Sequence, residues 1–125
     1  MEHFHLESVA RALQSLDAER LVAQYAPEFV FEDTAAGLKV TDRDELRRYY
    51  DALFSMPGVA FTDISFFQNA RGSGAGEWVW SGLGKDGAFF RVRGASIFES
   101  NPAGIVRETI YYRPPFSQTL PADDA

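Results

Sequence analysis

The chain has 125 residues, 46% of them hydrophobic and 14% aromatic, which fits one compact domain with its own core and excludes a disordered tail. Its formal net charge is −6, and its arginines sit among acids. Without a basic stripe to neutralise phosphates, nucleic acid and anionic membrane surfaces are excluded as partners. There is no Cys, so disulfides, thiol nucleophiles and thiolate metal sites are excluded too. No basic-then-apolar leader and no apolar run of membrane-spanning length is present, and a cytoplasmic protein is expected.

Leu6, Val9, Ala10, Leu13 and Leu16 recur at helical spacing and predict a first helix with one apolar stripe. Asp17 reads as the N-cap of a second, short helix carrying Leu21, Val22 and Tyr25, which Pro27 ends. Residues 29–34 alternate as a short strand, with Phe29, Phe31 and Asp33 on one face. Residues 35–40 read as a loop. A third helix starts at Thr41 or Asp42, with Glu45 completing a capping-box pattern, and carries the stripe Leu46, Tyr49, Tyr50, Leu53 and Phe54 up to Pro57-Gly58.

Four strands follow, over residues 59–69, 77–83, 88–99 and 105–113. They are separated by glycine-rich residues 71–76, by the Asp86-Gly87 turn and by a turn at 101–104. Consecutive strands joined by short turns pair antiparallel. From Pro114 onward the sequence is proline-containing and polar, and it predicts a loose tail, 114–125, after a single domain, 1–113. Helices first and a curved antiparallel sheet afterwards make an α+β fold, whose concave side offers a place for a ligand.

The order of elements resembles the nuclear transport factor 2-like superfamily, in its SnoaL-like and ketosteroid-isomerase-like branches. Three stretches carry the likeness: Phe29-Val30-Phe31-Glu32-Asp33, Asp44 to Tyr50, and Val92 to Glu99 followed by Gly104 to Glu108. The resemblance implies a cone-shaped sheet wrapped around N-terminal helices, a small-molecule pocket and pairing into a homodimer. It does not choose among functions, because this fold hosts isomerases, cyclases, hydrolases and non-catalytic binders.

Asp33 matches the position at which ketosteroid-isomerase-like members carry a general-base aspartate. It also shares its strand face with two phenylalanines, where desolvation favours a base active near neutral pH. The tyrosine and second aspartate of that family's oxyanion hole fall near Val9 and Gly94, which donate nothing. Epoxide hydrolases of this fold are excluded by the same reasoning. Their Asp-Arg-Asp positions fall on Trp78, Trp80 and Ile110, which cannot position or deprotonate a water.

Strand alternation puts Trp78 with Trp80, Ser96 with Phe98, and Glu108 with Ile110 and Tyr112. If those faces are concave, these residues line a pocket together with Phe29, Phe31, Tyr49, Tyr50 and Phe54. Glu108 is then a second acid facing Asp33, although Arg107 and Arg113 beside it favour a surface ion pair. His3 and His5 point to different sides of a helix and make no metal face. No metal or cofactor is expected. Two classes of function stay open. One is proton transfer on a small hydrophobic carbonyl compound, isomerase- or polyketide-cyclase-like, and the other is a non-catalytic ligand- or protein-binding module.

Overall fold

The computed structural model describes residues 6–115; His3, His5 and the tail from residue 116 lie outside the described residues. The elements are α1 (Leu6–Gln14), α2 (Ala18–Val22), β1 (Tyr25–Asp33), β2 (Leu38–Val40), α3 (Arg43–Phe54), β3 (Ala60–Gln68), β4 (Ser73–Leu83), β5 (Phe89–Asn101) and β6 (Gly104–Tyr112). Both expected caps form: Asp17 accepts from the Arg20 N–H and Asp42 from the Glu45 N–H. Each satisfies a backbone donor that the first helical turn leaves without a partner. No described helix is long and apolar enough to cross a membrane.

The strands form one curved sheet in the order β2-β1-β6-β5-β4-β3. The last four pair antiparallel, as their short turns require. The β1–β6 pair is parallel, with Phe31 opposite Glu108 and Asp33 opposite Ile110. Turn chemistry cannot reveal this pairing, since α3 and four strands separate its two members in the chain. It brings two acids that are distant in sequence onto neighbouring strands. Residues 38–40 of the expected loop form β2, antiparallel to β1.

Pro27 does not end a helix. The helix stops at Val22, and Pro27 lies in β1, where the register shifts between Tyr25 and Val30. A residue with no N–H is tolerated where the ladder is already interrupted. Carbonyls there and at the end of α2 are collected by Arg43, whose guanidinium donates to Val22 O (2.9 Å), Tyr25 O (3.0 Å) and Ala26 O (2.9 Å). It also lies 5.8 Å from the centre of the Phe29 ring. One side chain from the first turn of α3 thus ties that helix to the end of α2 and the start of β1.

Two glycines make room for rings. A Cβ on Gly76 would fall 1.9 Å from the Phe66 ring, and one on Gly94 would fall 2.2 Å from the Trp78 indole. Gly94 therefore stands opposite Trp78 on β5 because no larger residue fits under the indole. Overpacking of this kind costs about 1–3 kcal/mol. Gly94→Ala is expected to lower the unfolding free energy measured by urea denaturation by that amount and to shift the fluorescence of Trp78. A variant as stable as the wild type with an unchanged spectrum would mean that the indole is not held there.

Candidate functional site

The helices and the concave side of the sheet enclose a hollow of about 60 Å³, room for roughly four waters or a compact ligand. Nine of the sixteen described residues that line it are aromatic, and no described Lys, Arg or His is among them. Rings pack on one another around it: Phe31 on Tyr49 and Tyr50, Phe61 on Trp78, and Trp78 and Trp80 on Tyr112. The apolar side chains of α1 and α2, Val9, Leu13 and Leu21, close the helical side.

Among the described residues one carboxyl group lines the hollow, that of Glu108 on β6. Alternation along the strand sends Arg107 outward and Glu108 inward with Tyr112. The expected surface ion pair is therefore replaced by hydroxyl contacts. The Tyr25 hydroxyl donates to Glu108 Oε1, and the Ser96 hydroxyl bonds the same side chain. Behind these stand two further partners. The Tyr50 hydroxyl meets that of Tyr25 at 2.8 Å, and the Trp78 indole N–H donates to Ser96 Oγ at 2.9 Å. Since Tyr25 gives its single proton to the carboxylate, Tyr50 is the donor to Tyr25. Burial pushes the Glu108 pKa above the ordinary glutamate value, and the bonds from Tyr25 and Ser96 offset part of that rise. Burial, reinforced by the nearby acid, raises the Tyr25 and Tyr50 hydroxyls well above the ordinary tyrosine value.

Asp33 ends β1 and is 2% exposed. Its Oδ2 accepts from the Tyr49 hydroxyl at 2.8 Å and the Tyr112 hydroxyl at 2.9 Å, and its Oδ1 from the Ala36 N–H at 3.1 Å. Tyr49 and Tyr112 line the hollow and Asp33 does not. The aspartate thus sits behind two tyrosines and fixes where their rings stand. Burial first, then the charge of Asp33, raise both hydroxyls above the tyrosine range.

The hollow brings together Phe31, Tyr49, Tyr50, Trp78, Trp80, Ser96, Ile110 and Tyr112 of the residues expected from sequence. Phe29, Phe54 and Phe98 stand outside its lining. Phe29 packs edge-on against Tyr25 and beside Arg43, Phe54 packs on Tyr50 and Phe61, and Phe98 packs on Phe66. Tyr25, Phe61 and Phe66 were missed as lining residues. Tyr25 has the same strand parity as Phe29, Phe31 and Asp33, a signal that Pro27 obscured. Phe61 and Phe66 have opposite parity and face one hollow because β3 carries an irregularity between Thr62 and Ser65. The Trp80 indole N–H is buried and meets no acceptor among the described residues. Those residues include no group of three or more His, Cys, Asp or Glu that could hold a metal ion.

No curated protein sequence matches the chain. Solved structures of the same shape do. A protein with a ketosteroid isomerase-like fold from Catenulispora acidiphila, in complex with trimethylamine, is 20% identical, with a TM-score of 0.74 over 86% of this chain and 83% of that one. A candidate polyketide cyclase from Pseudomonas putida is 17% identical, with a TM-score of 0.74 over 86% and 88%. A nuclear transport factor 2-like protein of unknown function from Cytophaga hutchinsonii is 15% identical, with a TM-score of 0.69 over 86% and 95%. At such identities the likeness speaks for the fold. The SnoaL-like domain model matches residues 6–108, and with that match this chain belongs to the SnoaL-like family.

Proposed function

We propose that the hollow takes a small hydrophobic carbonyl compound and that Glu108 exchanges a proton with the carbon beside the carbonyl. The observation that carries this reading is a glutamate in an aromatic hollow, held by the Tyr25 and Ser96 hydroxyls, with its pKa raised by burial. A base works best when its pKa lies near the working pH, and desolvation moves a carboxylate in that direction. Asp33 has a positioning role here, because Tyr49 and Tyr112 separate it from the ligand. The Trp80 N–H supports a ligand that brings an acceptor oxygen. The trimethylamine in the Catenulispora acidiphila relative supports a ligand of this small size.

The hydroxyls couple to the proton. When Glu108 removes the proton from carbon, the carbon–hydrogen bonding pair moves into the enolate and charge builds on the carbonyl oxygen. The new carboxylic acid needs fewer donors, so the Tyr25 or Ser96 hydroxyl is released toward that oxygen. Return of the proton to carbon restores the original bonds.

Hydrogen–deuterium exchange beside the carbonyl of cyclopentanone, followed by NMR, tests this. Glu108→Gln should slow the protein-catalysed exchange by about 10²- to 10⁴-fold, and Asp33→Asn should slow it less. In the wild type the rate should rise with pH through a midpoint above the ordinary glutamate value. No catalysed exchange in the wild type would leave a binding module. Loss in Asp33→Asn alone would return the base to the aspartate.

We also infer that two copies pair through the outer side of the sheet. Phe67 and Ile97 are 69% and 55% exposed, and both pair with Ala75 across neighbouring strands, so they form one apolar row. A monomer avoids exposing contiguous apolar surface of this kind. Light scattering should give twice the chain mass, reverting to the monomer in Ile97→Lys. A monomeric wild type at high concentration would contradict the pairing.

A further inference from the structure

We infer that the occupant of the hollow carries an alkylammonium group, seated against the aromatic rings and facing Glu108. The inference rests on the reading that this hollow holds a small molecule, and it narrows which one.

The argument is one of charge balance. Two carboxyl groups lie in or directly behind the hollow, and among the described residues no Lys, Arg or His lines it. The ion pairs among the described residues, Arg47–Asp51 and Arg91–Asp63, are exposed and involve neither acid. A buried carboxylate ordinarily has a cationic partner or turns neutral. Among the described residues Glu108 has hydroxyl partners alone, and burial moves it toward the neutral form. A ligand cation would supply the missing counter-charge.

The walls fit the same cation. The faces of Tyr and Trp rings attract alkylated ammonium groups through their quadrupole, and several rings around one site add up. Tyr49, Tyr112, Trp78 and Trp80 line this hollow around Glu108 and Ser96. An N-methylated ammonium, with no strong donors to satisfy, suits walls whose hydroxyls are committed to Asp33 and Glu108. The chain's net charge of −6 favours the approach of a cation over that of an anion.

The cation also bears on the chemistry. A positive nitrogen near the carbonyl acidifies the carbon–hydrogen bond and stabilises the enolate that Glu108 leaves behind.

Choline and 3,3-dimethylbutan-1-ol form the test pair, since they share shape and hydroxyl and differ in replacing a positive nitrogen by carbon. The protein has two tryptophans, and both line the hollow, so indole fluorescence reports on occupancy directly. At matched ionic strength choline should bind at least about tenfold more tightly than the alcohol, the scale expected of cation–π contacts with a facing carboxylate. Glu108→Gln should remove most of that preference and retain the alcohol. Equal affinities, tighter binding of the alcohol, or no saturable response to choline would overturn the inference. The wild-type comparison decides this without any variant. Ketone exchange without choline selectivity would sink the cation alone, and choline selectivity without exchange would sink the proton transfer alone.

Discussion

A carboxylate surrounded by aromatic rings must find hydrogen-bond donors or give up its charge, and in this protein hydroxyl groups are the donors on offer. That constraint organises the hollow. Glu108 holds Tyr25 and Ser96, and these in turn hold Tyr50 and Trp78. Asp33 holds Tyr49 and Tyr112. Two adjacent residues of α3 thus serve two different acids, and Tyr50 lies within the field of both. Neutral hydroxyls satisfy a carboxylate's geometry without cancelling its charge.

Holding such a site requires a rigid frame, because donor and acceptor must meet within a few tenths of an ångström. The parallel β1–β6 pairing sets the separation of the two acids. Arg43 fixes α3, and with it both tyrosines, by capturing one carbonyl at the end of α2 and two at the irregular start of β1. Gly94 lets the Trp78 indole lie close against β5, from where its N–H reaches Ser96. The frame and the site are therefore one network. A change at Arg43 or Gly94 reaches the acids through the aromatic side chains that hold them.

Much of the frame was legible in the sequence because its signals are local. Asp17 and Asp42 announce their helices by capping chemistry, and the turns between the last strands announce antiparallel hairpins. The parallel partner of β1 was not legible, since no local pattern records which distant strand it meets. The same limit explains the acids. Strand parity places Asp33 beside Phe29 and Phe31, and Glu108 with Ile110 and Tyr112, yet parity does not say which tyrosine rings come between an acid and the hollow. Arg107 and Arg113 made Glu108 look like a surface residue, and only the inward side of β6 decides otherwise. Phe61 and Phe66 escaped because a bulge broke the alternation that would have paired them.

The central claim is that Glu108 sits desolvated in the aromatic hollow with hydroxyl partners alone. The most direct measurement is an NMR titration of its side-chain carboxyl carbon in isotopically labelled protein, assigned by its loss in Glu108→Gln. The account predicts a midpoint clearly above the ordinary glutamate value of 4.5. A midpoint at or below 4.5 would mean that water or a cation reaches the carboxylate, and would contradict it.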